Sequence, residues 1–238
     1  MGQTKSKWKG NQLAFYDGST YETCLPLAPR YFEDDFEGET LNTNVWLAND
    51  LGSATQTVLD GHLNLLCETT GEAQEACVGA SGNSLDWDIN KGLIVEFRAN
   101  VSQLPDGQTE MHFGMLGEAI VDQQQISEAD DVGIHAVFSF DGSGLCLVNT
   151  DDATNETTAV TTGTTVVAGA WHIYRIDFTD YANVLFYIDG VQVIKSTTVN
   201  MEDTVSDLYQ PAMICQKNAG GGKGILQIDY IRLWQATR

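Results

Sequence analysis

Apolar and polar residues alternate along most of this chain, a period of two that predicts strands with one buried face. The clearest run is Trp171–Phe178. His172, Tyr174, Ile176 and Phe178 fall on one side of it, and Trp171, Ile173, Arg175 and Asp177 on the other. Strands over Val184–Ile188 and Val191–Lys195 follow. They are joined by Asp189-Gly190, a dipeptide that suits the φ > 0 positions of a type I′ turn. Gly92–Val101 places Leu93, Val95, Phe97, Ala99 and Val101 opposite Glu96, Arg98 and Asn100. Thr109–Leu116 places Met111, Phe113 and Met115 opposite Glu110 and His112. Val132–Phe140 places Ile134, Ala136, Phe138 and Phe140 opposite His135 and Ser139. A second D-G turn, Asp60-Gly61, joins Ala54–Leu59 to His62–Cys67, and Ile225–Gln235 is the last strand. Gly117–Asp130 reads as a loop or short helix, the Thr/Asn-rich stretch to Gly169 as a loop with one weak strand, and 201–208 as one or two helical turns. Many short strands and almost no helix predict an all-β fold, an antiparallel two-sheet jelly-roll sandwich.

The first thirty residues break this pattern. Residues 1–10 carry Lys5, Lys7 and Lys9 with one aromatic, Trp8, and no acid. Leu13–Tyr16 and Tyr21–Leu25 flank Asp17-Gly18-Ser19-Thr20 as a small hairpin, and Pro26 and Pro29 then interrupt the chain. Residues 1–30 are therefore expected to be an appendage, a basic arm and hairpin, and residues 31–238 the body.

Composition narrows the function. The 238 residues suffice for one large sandwich that needs no disulfide or metal to fold. Thirty-three acidic against twelve basic residues leave a net charge of −21. Such a charge excludes a nucleic-acid groove, which needs a basic patch, but leaves room for cations or basic partners. No apolar run reaches the roughly 20 residues of a membrane-spanning helix. The N-terminus has no apolar signal region, so no secretory export is expected. Cys24, Cys67, Cys77, Cys146 and Cys215 include no C-x-x-C pair and mostly sit in apolar runs, so they read as buried thiols.

Three segments resemble the concanavalin A-like jelly roll, most closely the family-16 glycoside hydrolases and laminin G-like domains. They are Phe32-Glu-Asp-Asp-Phe-Glu-Gly38 with Leu41-Asn-Thr-Asn-Val-Trp46, then Trp171-His-Ile-Tyr-Arg-Ile-Asp-Phe178 with Leu185-Phe-Tyr-Ile-Asp-Gly190, and finally Ile228-Asp-Tyr-Ile-Arg-Leu-Trp234. Family-16 enzymes carry E-x-D-x-(x)-E on one strand, which sets two carboxylates on one face about 5–5.5 Å apart. Here the expected place reads Glu128-Ala-Asp-Asp131-Val-Gly-Ile-His135, with no second Glu. The resemblance thus implies the scaffold without the catalytic pair, and no enzyme. It also implies a structural Ca²⁺ at Asp229, with Asp34 and Asp35 near it as hard oxygen ligands.

One polar constellation remains. If their strands pair, Glu110, His112, Asp131 and His135 converge as a sugar or metal site, with Trp87 or Trp171 as a stacking platform. Ordinary solvent-facing residues and core aromatics are the competing explanation. Leu13-Ala-Phe-Tyr-Asp-Gly-Ser-Thr-Tyr21 resembles hairpins of tailed-bacteriophage structural proteins. That resemblance implies a non-enzymatic virion decoration protein on the particle surface. Lys5, Lys7, Trp8 and Lys9 would anchor it to the major capsid or another virion protein, and copies would associate as a homo-oligomer. A lectin-like domain that binds surface glycans, or a divergent family-16-like hydrolase, is the alternative.

Overall fold

In the computed structural model the alternation resolves into strands throughout the described residues. These are 30–81, 86–103, 109–117, 135–140, 144–152, 155–202 and 208–235, with the backbone of 4–9, 12–17 and 23–24. The N-terminal strands β1 (Thr4–Lys9), β2 (Gln12–Asp17) and β3 (Thr23–Cys24) form an antiparallel sheet of their own. The expected hairpin is β2–β3, and the basic arm is itself a strand: Lys5, Lys7, Trp8 and Lys9 all lie on β1, paired along β2.

The body is a sandwich of two antiparallel sheets, built as a jelly roll. Its strands in order are β4 (Tyr31–Asp34), β5 (Trp46–Leu51), β6 (Thr55–Leu59), β7 (His62–Cys67), β8 (Gln74–Ala80), β9 (Trp87–Asp88), β10 (Leu93–Gln103) and β11 (Thr109–Leu116). There follow β12 (His135–Phe140), β13 (Leu145–Asp151), β14 (Glu156–Thr165), β15 (Trp171–Asp177), β16 (Leu185–Ile188), β17 (Val191–Gln192), β18 (Leu208–Lys217) and β19 (Gly224–Gln235). Sheet I runs β17-β16-β15-β10-β19-β7-β6, with β4 also paired to β19. Sheet II runs β14-β13-β12-β11-β18-β8-β5, with β9 on β18.

Both D-G turns have the backbone that their residues suit: Asp60 and Gly61 sit at φ 55° and 74°, Asp189 and Gly190 at 49° and 76°. Phe97, Phe113, Phe138, Phe140, Tyr174 and Phe186 pack between the sheets, with Phe113 and Tyr174 edge to face at 4.9 Å. The opening motif is a corner. Asp34 accepts from Trp46 Nε1 at 2.7 Å and from the Phe36 amide at 2.9 Å, and Phe36 packs on the indole.

Two expectations are corrected. The Thr-rich stretch is a ten-residue edge strand, β14, rather than a mostly irregular loop. Threonine is polar but β-branched, so it favours a strand without an apolar alternation. Trp87 is not a sugar platform: it is fully buried in the core under the Arg30 guanidinium, 4.2 Å from its ring. Gly117–Asp130 beyond its first residue, and 203–207, lie outside the described residues.

Candidate functional site

Alternate residues of β11 enter the core and point outward from sheet II. Met111, Phe113 and Met115 are in the core, and Glu110, His112, Gly114 and Leu116 lie on the outer face. Register then lines up a polar row across five strands. Glu110 stands opposite Gln216 on β18, and Gln216 opposite Glu75 on β8. On the other side His112 stands opposite Ser139 on β12. Asn149, on β13, reaches the same serine diagonally.

From Gln216 to Asn149 the row is joined by hydrogen bonds and one longer contact. Gln216 Nε2 donates to Glu110 Oε2 at 3.3 Å, and that oxygen lies 3.5 Å from His112 Nε2. His112 Nδ1 meets Ser139 Oγ at 2.9 Å, and Asn149 Nδ2 donates to the same oxygen at 2.7 Å. Asn149 Oδ1 in turn accepts from the Ala159 amide. The imidazole thus bonds through Nδ1 alone, and its Nε2 is buried without a hydrogen bond, 3.5 Å from Glu110. The Ser–His–Glu order resembles a nucleophile relay, but Asn149 caps the serine oxygen and the serine is buried. The chemistry left to it is hydrogen bonding, and its most exposed member is Glu110, whose side chain is 38% exposed.

Beside the row, Cys77, Leu116, Val137, Ala212 and Ile214 form a second buried apolar cluster outside the main core. Glu75 is 2% exposed at the inner end of the row, and its Oε2 has no hydrogen-bond partner. Burial pushes its carboxyl up to about 7, from 4.5. A raised acid favours the folded state while it keeps its proton. Stability should therefore fall as pH rises from about 4.5 through about 7, by about 3 kcal/mol for a shift of this size. Glu75→Gln removes the titration. Its melting temperature should exceed that of the natural protein at pH 8 and match it at pH 4.5, and parallel pH profiles for the two would refute this origin.

Of the four residues expected to converge, two do. Glu110 and His112 meet. His135 lies on the same face but opposite Leu116, four residues along β12 from Ser139, about 13 Å at the strand rise. Asp131 lies outside the described residues. Sequence reasoning missed Glu75, Asn149 and Gln216 as members of the row. Their strands are distant in sequence, and only their polar character within apolar runs marked them.

The three residues of the calcium expectation make other contacts. Asp229 sits at a β-bulge of β19 and is ion-paired with Arg98, with His62 Nδ1 3.5 Å away. Arg98 also covers Trp171 at 5.0 Å, and His62 meets that ring edge-on at 4.7 Å. Asp34 is used in the opening corner, and Asp35 accepts from the Glu37 amide at 3.2 Å. A carboxylate already neutralised by a guanidinium is a poor ligand for a cation. Among the described residues no group of three or more His, Cys, Asp or Glu is placed to hold a metal.

No protein-family model matches the chain, and no curated protein matches it by sequence. Solved structures do. LamAcat from Zobellia galactanivorans is similar at 16% identity and a TM-score of 0.61, over 86% of this chain and 96% of that one. An endo-β-1,3-glucanase from Pyrococcus furiosus is similar at 12% identity and 0.61, over 97% of both chains. A pseudo β-1,3-glucanase of Mycobacterium tuberculosis is similar at 13% identity and 0.58, over 86% and 98%. The fold is thus the concanavalin A-like jelly roll of the family-16 glucanases. The expectation of a phage virion decoration protein is corrected by these likenesses, which run to glucanase-type proteins over nearly their whole length. No helix among the described residues is long and apolar enough to cross a membrane.

Proposed function

We propose that this chain is a glycan-binding jelly roll that takes β-glucan-type chains at the Glu110 end of the polar row and does not hydrolyse them. One observation carries the reading. The outward positions of β12, beside the row, are His135, Val137 and Ser139, so that strand offers no pair of carboxylates. Glu110 and Glu75 do not replace such a pair. Gln216 stands between them, which puts their backbones two strand spacings apart, about 10 Å. Its amide is bonded to Glu110 in the intervening space, whereas a retaining pair needs its carboxyl groups about 5–5.5 Å apart. What remains is a half-exposed acceptor, Glu110, bonded by the buried Gln216 amide with the His112 imidazole beside it. Sugar hydroxyls donate well to such a carboxylate. The likeness to glucanases and to a pseudo-glucanase supports the ligand class.

Affinity electrophoresis in gels carrying laminarin or mixed-linkage β-glucan tests this, beside a reducing-end assay on the same polymers. Migration should be retarded without release of reducing ends. Glu110→Ala should weaken binding about tenfold or more, the worth of one charge-assisted hydrogen bond. Unretarded migration in every β-glucan would refute binding, and steady release of reducing ends would refute the non-hydrolytic assignment.

A further inference from the structure

Cys67 ends β7 in sheet I, and Cys215 lies in β18 of sheet II. Although 148 residues separate them, their sulfurs are 3.6 Å apart across the core. Both thiols are fully buried. The pair is held in place on all sides. Cys67 Sγ donates to the Cys215 carbonyl at 3.3 Å, and Cys215 Sγ lies 3.6 Å from the Gly224 carbonyl. Gly224, the first residue of β19, presses on the site: a Cβ there would fall 2.6 Å from Thr109 Cγ2 and 2.7 Å from Met111 Cε. These sulfurs therefore cannot drift apart without disturbing three strands.

We propose that Cys67 and Cys215 are a redox pair that closes to a disulfide joining the two sheets. A low-molecular-weight disulfide is the oxidant. The Cys67 thiolate attacks one sulfur of that oxidant and expels a thiolate, leaving a mixed disulfide on Cys67. Cys215 then gives up its proton and attacks the Cys67 sulfur, and the second oxidant thiolate leaves. Two protein thiols are oxidised, one external disulfide is reduced to two thiols, and the two protons end on the departing thiolates.

The two cysteines are not equivalent. The hydrogen bond from Cys215, with the Lys217 ammonium nearby, pulls the Cys67 thiol down. Its role as donor to Cys67, together with burial, holds Cys215 well above its ordinary value. Cys67 is thus the attacking thiol and Cys215 the resolving one. A sulfur–sulfur bond is about 2.05 Å long, so closure needs the two sulfurs to approach by roughly 1.5 Å. Both sulfurs are buried, so the reaction requires a local opening that admits the oxidant. Cys77 and Cys146 are also buried, with burial raising both thiols, and neither has a sulfur partner among the described residues.

Incubation of the full chain with oxidised glutathione under native conditions tests the pair, followed by blocking of free thiols and peptide mapping without reduction. The expected product is a Cys67–Cys215 linked peptide, reversed by dithiothreitol, with a melting temperature several degrees higher in the oxidised protein. Cys77→Ala should leave the linkage intact, and Cys215→Ser should stop at glutathione on Cys67. Accumulation of that mixed disulfide in the natural chain would show that Cys215 does not resolve it and would overturn the proposal. So would thiols that react only after unfolding.

Discussion

Lys217→Met should lower stability by about 3–5 kcal/mol, the range for removing one partner of a buried charged interaction. Lys217 is 1% exposed. Its three N–H groups reach four backbone carbonyls, so one is shared: Glu68, Thr70 at 2.5 Å, and Gly220 and Gly222 at 3.0 Å each. Two come from the β7–β8 loop and two from the β18–β19 loop, so one side chain ties both turns at one end of the sandwich. Methionine keeps the length and the apolar stem but leaves four carbonyls without their donor. Hydrogen bonds to a charged group are worth about 1.5–3 kcal/mol each, and part of that loss is recovered when water enters the loops. At this chain length the change corresponds to a melting temperature lower by roughly 6–20 °C. Lys217→Arg should fail too, because a planar guanidinium cannot address four oxygens placed around a point charge. Urea unfolding gives the measurement. A Lys217→Met variant within 1 kcal/mol of the natural protein would show that the two loops hold without the ammonium.

Gly114→Ala should be at least as damaging, and it should also remove the candidate site. Gly114 lies on β11 between His112 and Leu116. A Cβ built there falls 2.2 Å from the Ala136 carbonyl oxygen and 2.7 Å from Val137 Cα. Both are backbone atoms of β12, so no rotamer change relieves the overlap. The two strands must separate, which breaks the contact between His112 and Ser139 in the same pair. A cost of about 3 kcal/mol or more is expected, as for other overpacked core positions. Gly169→Ala is the control: its φ is +83°, but nothing lies within 4 Å of the added methyl, so about 1 kcal/mol of backbone strain is all it should cost. Circular dichroism and thermal melts of the two variants decide it. Equal melting temperatures would mean that β11 and β12 can part at no cost.

These two positions are expected to be among the least tolerant, and the sequence alone did not reveal why. Lys217 follows an apolar run and looks like a solvated strand end. Its role depends on two loops, one about 150 residues earlier in the chain, folding around it. Gly114 interrupts an otherwise regular alternation. That interruption signals a close approach, but only the pairing with β12 says to what.

The alternation of Trp171–Phe178 and Gly92–Val101, with the two D-G turns, determined strand positions and their buried faces. Those features are local: the period is set by the pleat, and the turn by φ > 0 at two adjacent residues. The opening and closing motifs determined the fold class for the same reason, since Asp34, Trp46 and the β19 alternation act within one corner or one strand. What only the tertiary structure decided is everything that crosses strands out of sequence order. The row from Glu75 to Asn149 exists because β8, β18, β11, β12 and β13 are neighbours in that order. The burial of Trp87, the pairing of Asp229 with Arg98 across a bulge, and the meeting of Cys67 with Cys215 have the same origin. In a jelly roll, adjacency is set by how sheets close over one core, and a period of two along the chain carries no record of it.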